Sequence, residues 1–325
     1  MRLRPAHIQP NRIVTNPAKN TAPETAPEWL QRKERGSVFL LRVMSRISLL
    51  LGRRLSRIVV YGIALYFVLA APAAQNTARK FLARSLGRPA TWLDLYRNIF
   101  AFASTIHDRI YLLNDRYDMF DIRVTGAQQL HASLAGNKGL FLFGSHLGSF
   151  EVLRSHARDN PYPVSIAMYP ENARQLNNAL TAINPKTMQD IIPLGQLDSM
   201  IAINRKLKEG SMVGLLADRA VGPDQHITLP FLGAPARFPT GPFRMAAMLK
   251  YPVFFMSGLY RDGNRYDVHF ELLSDYSEFL PADRDAAVRD VLVKYVAALE
   301  RHCKSAPYNW FNFFDFWKAE DSTHD

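Results

Sequence analysis

The feature that most constrains the fold is an alternation of short apolar runs with helical patterns, which begins at Ile122. Runs of this length and composition predict buried strands. The strands are predicted at Gly139–Phe143, Val164–Tyr169, Asp190–Leu194, Met212–Ala217, Val253–Leu259 and Tyr266–Leu273. Helices are predicted at Asp198–Glu209, Thr240–Lys250 and Asp283–His302. Such alternation predicts an α/β domain with a layered, mostly parallel sheet flanked by helices, which we place at residues 122–317.

The first part of the chain carries most of the positive charge. Residues 1–57 contain twelve Lys and Arg against three Glu, so that nine of the eleven net positive charges lie there. A basic terminus of this kind favours an anionic surface, either lipid or nucleic acid. Residues 1–35 contain five prolines and many small polar residues and are predicted to be a disordered tail. Residues 318–325 form a second tail.

An uncharged run decides between lipid and nucleic acid. Ile58–Ala74 contains no charged residue, and as a helix it is ~25 Å long, against ~30 Å for a bilayer core. Before it, Val38–Leu51 is apolar but carries Arg42 and Arg46, four positions apart, which is typical of an amphipathic helix at a membrane surface. We therefore expect residues 36–121 to form a helical region that associates with a membrane through the apolar helix at residues 58–74. No nucleic acid partner is expected. The alternative is a buried helix packed on its own domain.

Basic residues also follow the apolar run, at Arg79, Lys80, Arg84 and Arg88. Because both flanks are basic, the positive-inside tendency favours neither orientation of a spanning helix. We therefore expect a re-entrant or interfacial helix, with both ends on the cytoplasmic side of the inner membrane.

The candidate catalytic residue is a histidine at the end of a predicted strand. Gly139–Phe143 runs directly into Gly-Ser-His-Leu-Gly-Ser-Phe-Glu at residues 144–151. His146 thus lies at the carboxyl end of the strand, where sites on such sheets are found. Gly144 and Gly148 permit a tight turn on either side of it. A neutral imidazole at this position can accept a proton from a hydroxyl group.

Glu151 is the predicted supporting carboxylate of His146. Five positions along a regular helix separate two side chains by about 140°. His146 must therefore lie on the loop and fold back over a helix that is predicted to begin near Ser149. A carboxylate bonded to one imidazole nitrogen fixes the tautomer and stabilises the imidazolium, so that no enzyme nucleophile is required. The alternative is a histidine satisfied by the local backbone.

A serine hydrolase is a competing interpretation. A nucleophile elbow has the pattern G-x-S-x-G, with serine at its centre. Here the centre of Gly144–Gly148 is histidine, and Ser145 is out of register. An esterase that uses Ser145 stays open as an alternative, as does a non-catalytic membrane lipid-binding protein on the same fold.

Four features in order along residues 36–317 resemble the bacterial lipid A late acyltransferases, a branch of the lysophospholipid acyltransferase superfamily. They are the N-terminal apolar helix, the His-x4-acid block at 144–151, an acidic block at 215–219 and the Thr-Gly segment at 229–246. The aromatic segment at 307–317 is similar to a sub-branch found with glycolipid or aryl-polyene pathways.

The resemblance implies transfer of a fatty acyl group from a thioester, on acyl carrier protein or CoA, to a hydroxyl of a glycolipid or lysolipid. His146 is then the general base and Glu151 orients it. No cofactor is expected, and the chain is expected to be a monomer at the inner membrane with its catalytic domain facing the cytoplasm. The single cysteine and the unclustered histidines predict no metal site.

Further residues are candidates for substrate binding: Ser145, Arg174, Asp218, Arg219, Thr240, Gly241 and Arg244. Asp218 and Arg219 can hold the active-site loop, contact a polar group of the acceptor or form an internal ion pair. Thr240 can cap a helix whose N-terminus favours anions, and Arg244, one turn later, can meet a phosphate. The arginine that the family carries between its first two blocks has no clear counterpart here, although Arg174 or Lys186 can stand in.

Two remaining clusters are predicted to be structural. His107-Asp108-Arg109 is another pair of histidine and acid, but adjacent side chains diverge on a helix. Seven aromatic residues between Tyr308 and Trp317 exceed what a solvated tail tolerates. We predict that they close the core, with Trp317 near the lipid interface.

Overall fold

The computed structural model describes residues 38–70, 72–136, 138–153, 162–186, 190–196, 198–219, 225–279 and 283–317. The predicted tails at 1–35 and 318–325 lie outside the described residues. All described residues belong to one compact unit, Glu34–Asp325.

In the described part of the chain, three helices precede the sheet: α1 Val38–Ala70, α2 Pro72–Leu86 and α3 Trp92–Leu112. The chain breaks between α2 and α3, at residues 87–91. Gly87 adopts a left-handed φ of +67°, and Pro89 follows it. The N-terminus of α3 is then fixed by a capping box between Thr91 and Asp94.

Among the described residues, nine strands and five further helices follow a short 3-10 turn at Tyr117–Met119. The strands are β1 Asp121–Thr125, β2 Leu140–Gly144, β3 Val164–Met168, β4 Asp190–Pro193, β5 Met212–Leu216, β6 His226–Phe231, β7 Ala234–Pro239, β8 Val253–Asp262 and β9 Arg265–Ser274. The helices are α4 Ala127–Leu134, α5 Pro170–Ile183, α6 Ser199–Lys208, α7 Gly241–Leu249 and α8 Arg284–Ser305.

Seven strands form one sheet in the order β1-β9-β8-β2-β5-β3-β4. Every neighbouring pair is parallel except β8 and β9, which form an antiparallel hairpin. The predicted α/β fold with a mostly parallel sheet is confirmed. The separate hairpin of β6 and β7 was not predicted, because Pro230 lies opposite Pro235 within it and prolines argue against a strand assignment.

The central strand β2 is buried on both faces. Its alternate side chains enter two different cores, with Phe141 and Phe143 on one side and Leu140 and Leu142 on the other. This is the arrangement expected of a parallel strand covered by helices on both faces. A strand so constrained is a rigid support for the residues that follow its carboxyl end.

Helix α1 buries one narrow face against α3 and α5 and exposes the other. The buried face carries small residues and valines, at Ser48, Ser56, Val60, Ala64 and Val68. The exposed face is apolar, at Leu50, Leu55, Ile58, Leu65 and Leu69. Gly52, with φ +75° and ψ 163°, divides the helix between the two segments that the sequence predicts as separate helices.

No single helix among the described residues is both long enough and apolar enough to cross a membrane. The bent pair of Leu41–Ala70 with Gln75–Leu86 meets the two requirements together.

A buried polar network connects α1 to α3 and β9. The Arg53 guanidinium donates to both carboxylate oxygens of Asp108, at 2.7 and 2.8 Å, and Tyr266 donates to Oδ2 of the same carboxylate at 2.8 Å. Next to it, Ser56 Oγ lies 2.8 Å from Nε2 of His107. The predicted structural role of His107 and Asp108 is therefore confirmed, with α1 as their partner.

Replacing Asp108 by Ala is expected to lower the free energy of unfolding by about 3–5 kcal/mol, because it leaves a buried guanidinium without its counter-charge. The matched control is Asp118→Ala, since the exposed carboxylate of Asp118 lies 4.0 Å from Arg116 and should contribute about 0–1 kcal/mol. Denaturant unfolding of the two variants measures the difference. Equal losses would show that the Arg53–Asp108 pair does not anchor α1.

Candidate active site

The register between β2 and β5 brings two polar residues together. The strands are parallel, with Gly144 opposite Leu216. His146 and Asp218 each come two residues after these partners, so both leave the same edge of the sheet side by side. The amide of Ala217 donates to the carbonyl of Gly144 at 3.0 Å, which extends the pairing up to the site.

Asp218 holds His146 through both its backbone and its ring. The carboxylate accepts from the His146 amide at 3.0 Å and lies 3.0 Å from Nδ1. Asp218 is fully buried, whereas 32% of the His146 side chain is exposed. In the tautomer with the proton on Nδ1, Nε2 is left as a base, and the described residues provide no hydrogen bond to it. One end of the imidazole is thus fixed and the other is free to accept a proton.

The prediction that the Glu151 carboxylate is bonded to His146 is wrong, because Glu151 is paired with Arg109 and His146 with Asp218. Oε1 of Glu151 lies 2.6 Å from Nε of Arg109 on α3, and Ser149 donates to Oε2 at 3.1 Å. His146 does lie on a loop, as the five-residue spacing requires. Its carboxylate partner comes from the next strand, at Asp218, because strand register and not sequence proximity decides which groups meet.

Gly148 turns the loop that follows His146 against β8. Gly148 has a φ of +76°, and a Cβ placed on it would lie 2.0 Å from the carbonyl oxygen of Gly258 on β8. The next amide, of Ser149, donates to that same carbonyl at 2.8 Å. The loop therefore runs in direct backbone contact with β8. The helix predicted to begin near Ser149 falls in part on residues 154–160, outside the described part of the chain.

The aromatic C-terminal segment completes the loop as a short antiparallel ladder. Phe311 donates its amide to the carbonyl of His146 at 2.8 Å, and Gly148 donates to the carbonyl of Asn309 at 2.9 Å. Trp310 is buried and directs Nε1 at Oδ2 of Asp218 from 3.4 Å. The predicted core closure by this segment is confirmed, and the segment also touches the site itself.

Asn309 locks this segment to the sheet. Its side-chain amide donates to the carbonyl of Tyr260 at 3.0 Å, and its oxygen accepts from the Tyr260 amide at 2.7 Å. Asn309, Trp310 and Arg109 are the site residues that sequence reasoning did not identify. The density of aromatic residues signalled that the segment is buried, but nothing in the sequence indicated which loop it would meet.

The local charges set the protonation of the pair. Burial lowers the pKa of His146, the charge of Arg219 lowers it further, and Asp218 opposes both. Burial alone would raise the pKa of Asp218, but His146 and Arg219 bring it below its ordinary value. At neutral pH the site therefore holds a neutral imidazole against an ionised carboxylate.

Arg219 fastens the segment that covers the site. Its Nη2 donates to the carbonyl of Phe311 at 3.2 Å, and its guanidinium lies 4.7 Å from the ring centroid of Phe314. Burial lowers the pKa of this guanidinium. Of the two candidates in the second acidic block, Asp218 thus meets the catalytic ring and Arg219 meets the C-terminal segment.

The other candidate residues make no hydrogen bond or ion pair with the His146 side chain within the described part of the chain. Ser145 is 1% exposed, so that its hydroxyl is closed to a substrate. Thr240 donates its hydroxyl to the carbonyl of Gln225 at 2.9 Å. Arg244 and Arg174 are exposed, on α7 and α5. The substrate-binding roles of Gly241 and of these residues stay predictions. Lys186 is also exposed, and its role as the counterpart of the family arginine stays a prediction as well. No group of three or more His, Cys, Asp or Glu side chains positioned for a metal occurs within the described ranges.

The sequence profile described as bacterial lipid A biosynthesis acyltransferase matches residues 29–319. The chain belongs to this family. The match includes the α1–α3 region, both strands that carry the His146–Asp218 pair and the segment that closes over it. The protein is therefore an acyltransferase. No curated protein sequence matches the chain.

Replacing Gly148 by Ala is expected to destabilise the protein more than replacing Gly233 by Ala. Both glycines have nearly the same left-handed φ, +76° and +78°, but the space around Gly233 is open. Gly233→Ala should cost about 1–2 kcal/mol from backbone strain, and Gly148→Ala about 1–3 kcal/mol more, because the methyl group meets β8. Unfolding free energies test this. Equal costs would mean that the loop does not depend on its contact with Gly258.

Proposed function

We propose that the protein transfers a fatty acyl group from a thioester to a hydroxyl of a lipid acceptor, with His146 as general base and Asp218 as the carboxylate that orients it. The observation that carries the proposal is the His146–Asp218 pair, in which Nδ1 faces a buried carboxylate and the exposed ring is left to accept a proton. Family membership supports the reaction class.

The chemistry follows from the two ends of the ring. Nε2 takes the proton of the acceptor hydroxyl while the hydroxyl oxygen attacks the carbonyl carbon of the thioester. The C–S bond then breaks, and the thiolate leaves with the proton from the imidazolium. Asp218 stabilises the imidazolium between these two steps. The acyl group passes directly to the acceptor, so that no residue of the enzyme is acylated and the buried Ser145 is not required.

Glu151 has a positioning role in this scheme. It is held by Arg109 and Ser149, and it lies on the loop that follows His146. We propose that the Arg109–Glu151 pair fixes this loop and thereby the direction of the imidazole. An acyl carrier protein or CoA thioester as donor, and a glycolipid or lysolipid as acceptor, are the substrates that the family resemblance supports.

We propose that the reaction takes place at the inner membrane, with the catalytic domain on the cytoplasmic side. The exposed apolar face of α1 supports this location, since a row of leucines and an isoleucine in contact with water is unfavourable. Arg42 and Arg46 on the same helix are also exposed, as a helix at the surface of an anionic bilayer requires.

The residue roles predict an order of activity losses. His146→Ala should lower acyl transfer by about 10² or more, as expected for a general base. Asp218→Asn should also cost about 10² or more, because it stabilises the wrong tautomer and removes the counter-charge. Glu151→Gln should cost less than Asp218→Asn. The assay follows transfer from an acyl carrier protein thioester to a membrane lipid extract.

Two results would contradict these roles. Full activity in His146→Ala would remove the general base. A larger loss in Glu151→Gln than in Asp218→Asn would return the supporting role to Glu151. Ser145→Ala is the matched control for the serine esterase alternative, and it should retain transfer because the reaction uses no serine.

The pH dependence gives an independent test. Only the neutral imidazole accepts a proton, so that kcat/KM rises as pH increases through the pKa of His146. Because that pKa is lowered, the acid limb should have its midpoint below the ordinary histidine value of about 6.5. Asp218 raises the pKa of His146, and Asp218→Asn should therefore move the acid limb to still lower pH. A shift to higher pH would contradict the pairing, whereas general damage to the fold would lower the rate without moving the midpoint.

A further inference from the structure

An open cleft of about 600 Å³ lies between α2 and the C-terminal segment, and His146 is not among its lining residues. It is lined by Lys80, Ala83, Arg84, Asp315 and Trp317. Lys80 and Arg84 are four positions apart on α2 and therefore share one face of the helix. These are two of the basic residues that follow the apolar run, and the catalytic scheme leaves them without a role.

Arg84 is the cation in this cleft that has no carboxylate partner within the described part of the chain. Its guanidinium lies 4.9 Å from the ring centroid of Trp317. Arg88, two residues after the end of α2, donates to both carboxylate oxygens of Asp94 at 2.7 and 2.9 Å. A guanidinium stacked on an indole keeps its N–H edge available, and that edge matches the oxygens of a phosphate.

Lys80 is paired, but weakly. Its Nζ lies 2.5 Å from Oδ2 of Asp315, and 61% of its side chain is exposed. Ion pairs exposed to this degree contribute little, so that a phosphate held by Arg84 can compete for the ammonium group. Asp315 then repels the phosphate. Removal of Asp315 should therefore raise the affinity of the cleft for phosphate, whereas removal of Lys80 or Arg84 should lower it.

The cleft adjoins both the apolar helix and the catalytic pair. Trp317 contacts Trp310, with ring centroids 6.3 Å apart, and Trp310 in turn reaches Asp218. On α2 itself, Phe81 packs against the same Trp310 at 4.9 Å. One tryptophan therefore separates the cleft from the catalytic carboxylate. Helix α2 directly follows α1, whose exposed apolar face ends at Leu69.

We propose that this cleft binds the phosphate of a lipid headgroup, with Arg84 and Lys80 as its ligands and Trp317 as its floor. Where that headgroup belongs to the acceptor, the proposal rests on the proposed function and places the acceptor next to Trp310. Free phosphate presents the same chemistry, and the two sources are separated by the probes below.

The test compares variants of the full-length protein in their binding to phosphatidylcholine vesicles with and without phosphatidic acid. Lys80→Gln/Arg84→Gln should lose about thirtyfold in affinity for the vesicles that contain phosphatidic acid, because each cation near a lipid surface contributes about fivefold. Asp315→Asn should bind these vesicles a few-fold more tightly. The control Arg205→Gln/Lys208→Gln removes two exposed charges from α6 and should bind as the wild type does.

Inorganic phosphate is the second probe, read as the change in tryptophan fluorescence that is lost in Trp317→Phe. Loss of the phosphate response in Lys80→Gln/Arg84→Gln, together with loss of vesicle binding, supports the lipid headgroup site. Loss of the phosphate response alone would indicate a site for soluble phosphate and overturn the proposal. An equal loss of vesicle binding in the α6 control would also overturn it, since charge alone would then explain binding. His146→Ala should bind like the wild type, which separates this result from a failure of the catalytic scheme.

Discussion

The parallel pairing of β2 with β5 is the constraint on which the site depends. It sets Gly144 opposite Leu216, and from that register the positions of His146 and Asp218 follow without further adjustment. The same carboxylate accepts from the His146 amide, lies against the ring and receives the indole N–H of Trp310. A buried carboxylate is tolerated only when donors surround it, and here those donors lie on the loop that carries His146 and on the segment that closes over it. The orientation of His146 and the hydrogen bonding of the Asp218 carboxylate are thus one arrangement.

A second buried carboxylate, Asp108, plays the corresponding part for the N-terminal helix. Arg53 and Tyr266 satisfy it, and the next residue of α3, Arg109, contacts Glu151 on the catalytic loop. Consecutive residues of one helix therefore face α1 on one side and the loop on the other, because side chains one position apart point in different directions. The apolar face of α1 is left outward, whereas Arg53 and Ser56 on its inner face make their polar contacts within the protein.

Much of the sheet could be predicted from the sequence, because buried parallel strands appear as short apolar runs; β2 and β5 are recognisable in this way. The edge strand β1 and the hairpin of β6 and β7 could not, since the first is largely exposed and the second contains paired prolines. His146 was predicted from its glycine frame. Its partner was not, because Glu151 is close in sequence whereas Asp218 is close only after two strands have paired. Asn309 and Trp310 were beyond reach for the same reason.

The closing segment has a consequence for the order in which the protein matures. Trp310 lies 92 positions after Asp218 in the chain, yet it contributes to the environment of that carboxylate. Chains emerge from the ribosome with the N-terminus first, so that β2 and β5 are available to pair before residues 309–312 are synthesised. Until that segment is in place, the loop that carries His146 lacks the backbone ladder that fixes it, and Asp218 lacks the indole donor of Trp310. The two strands can therefore bring His146 and Asp218 together early in folding, whereas the surroundings of the pair are complete only once the closing segment has docked.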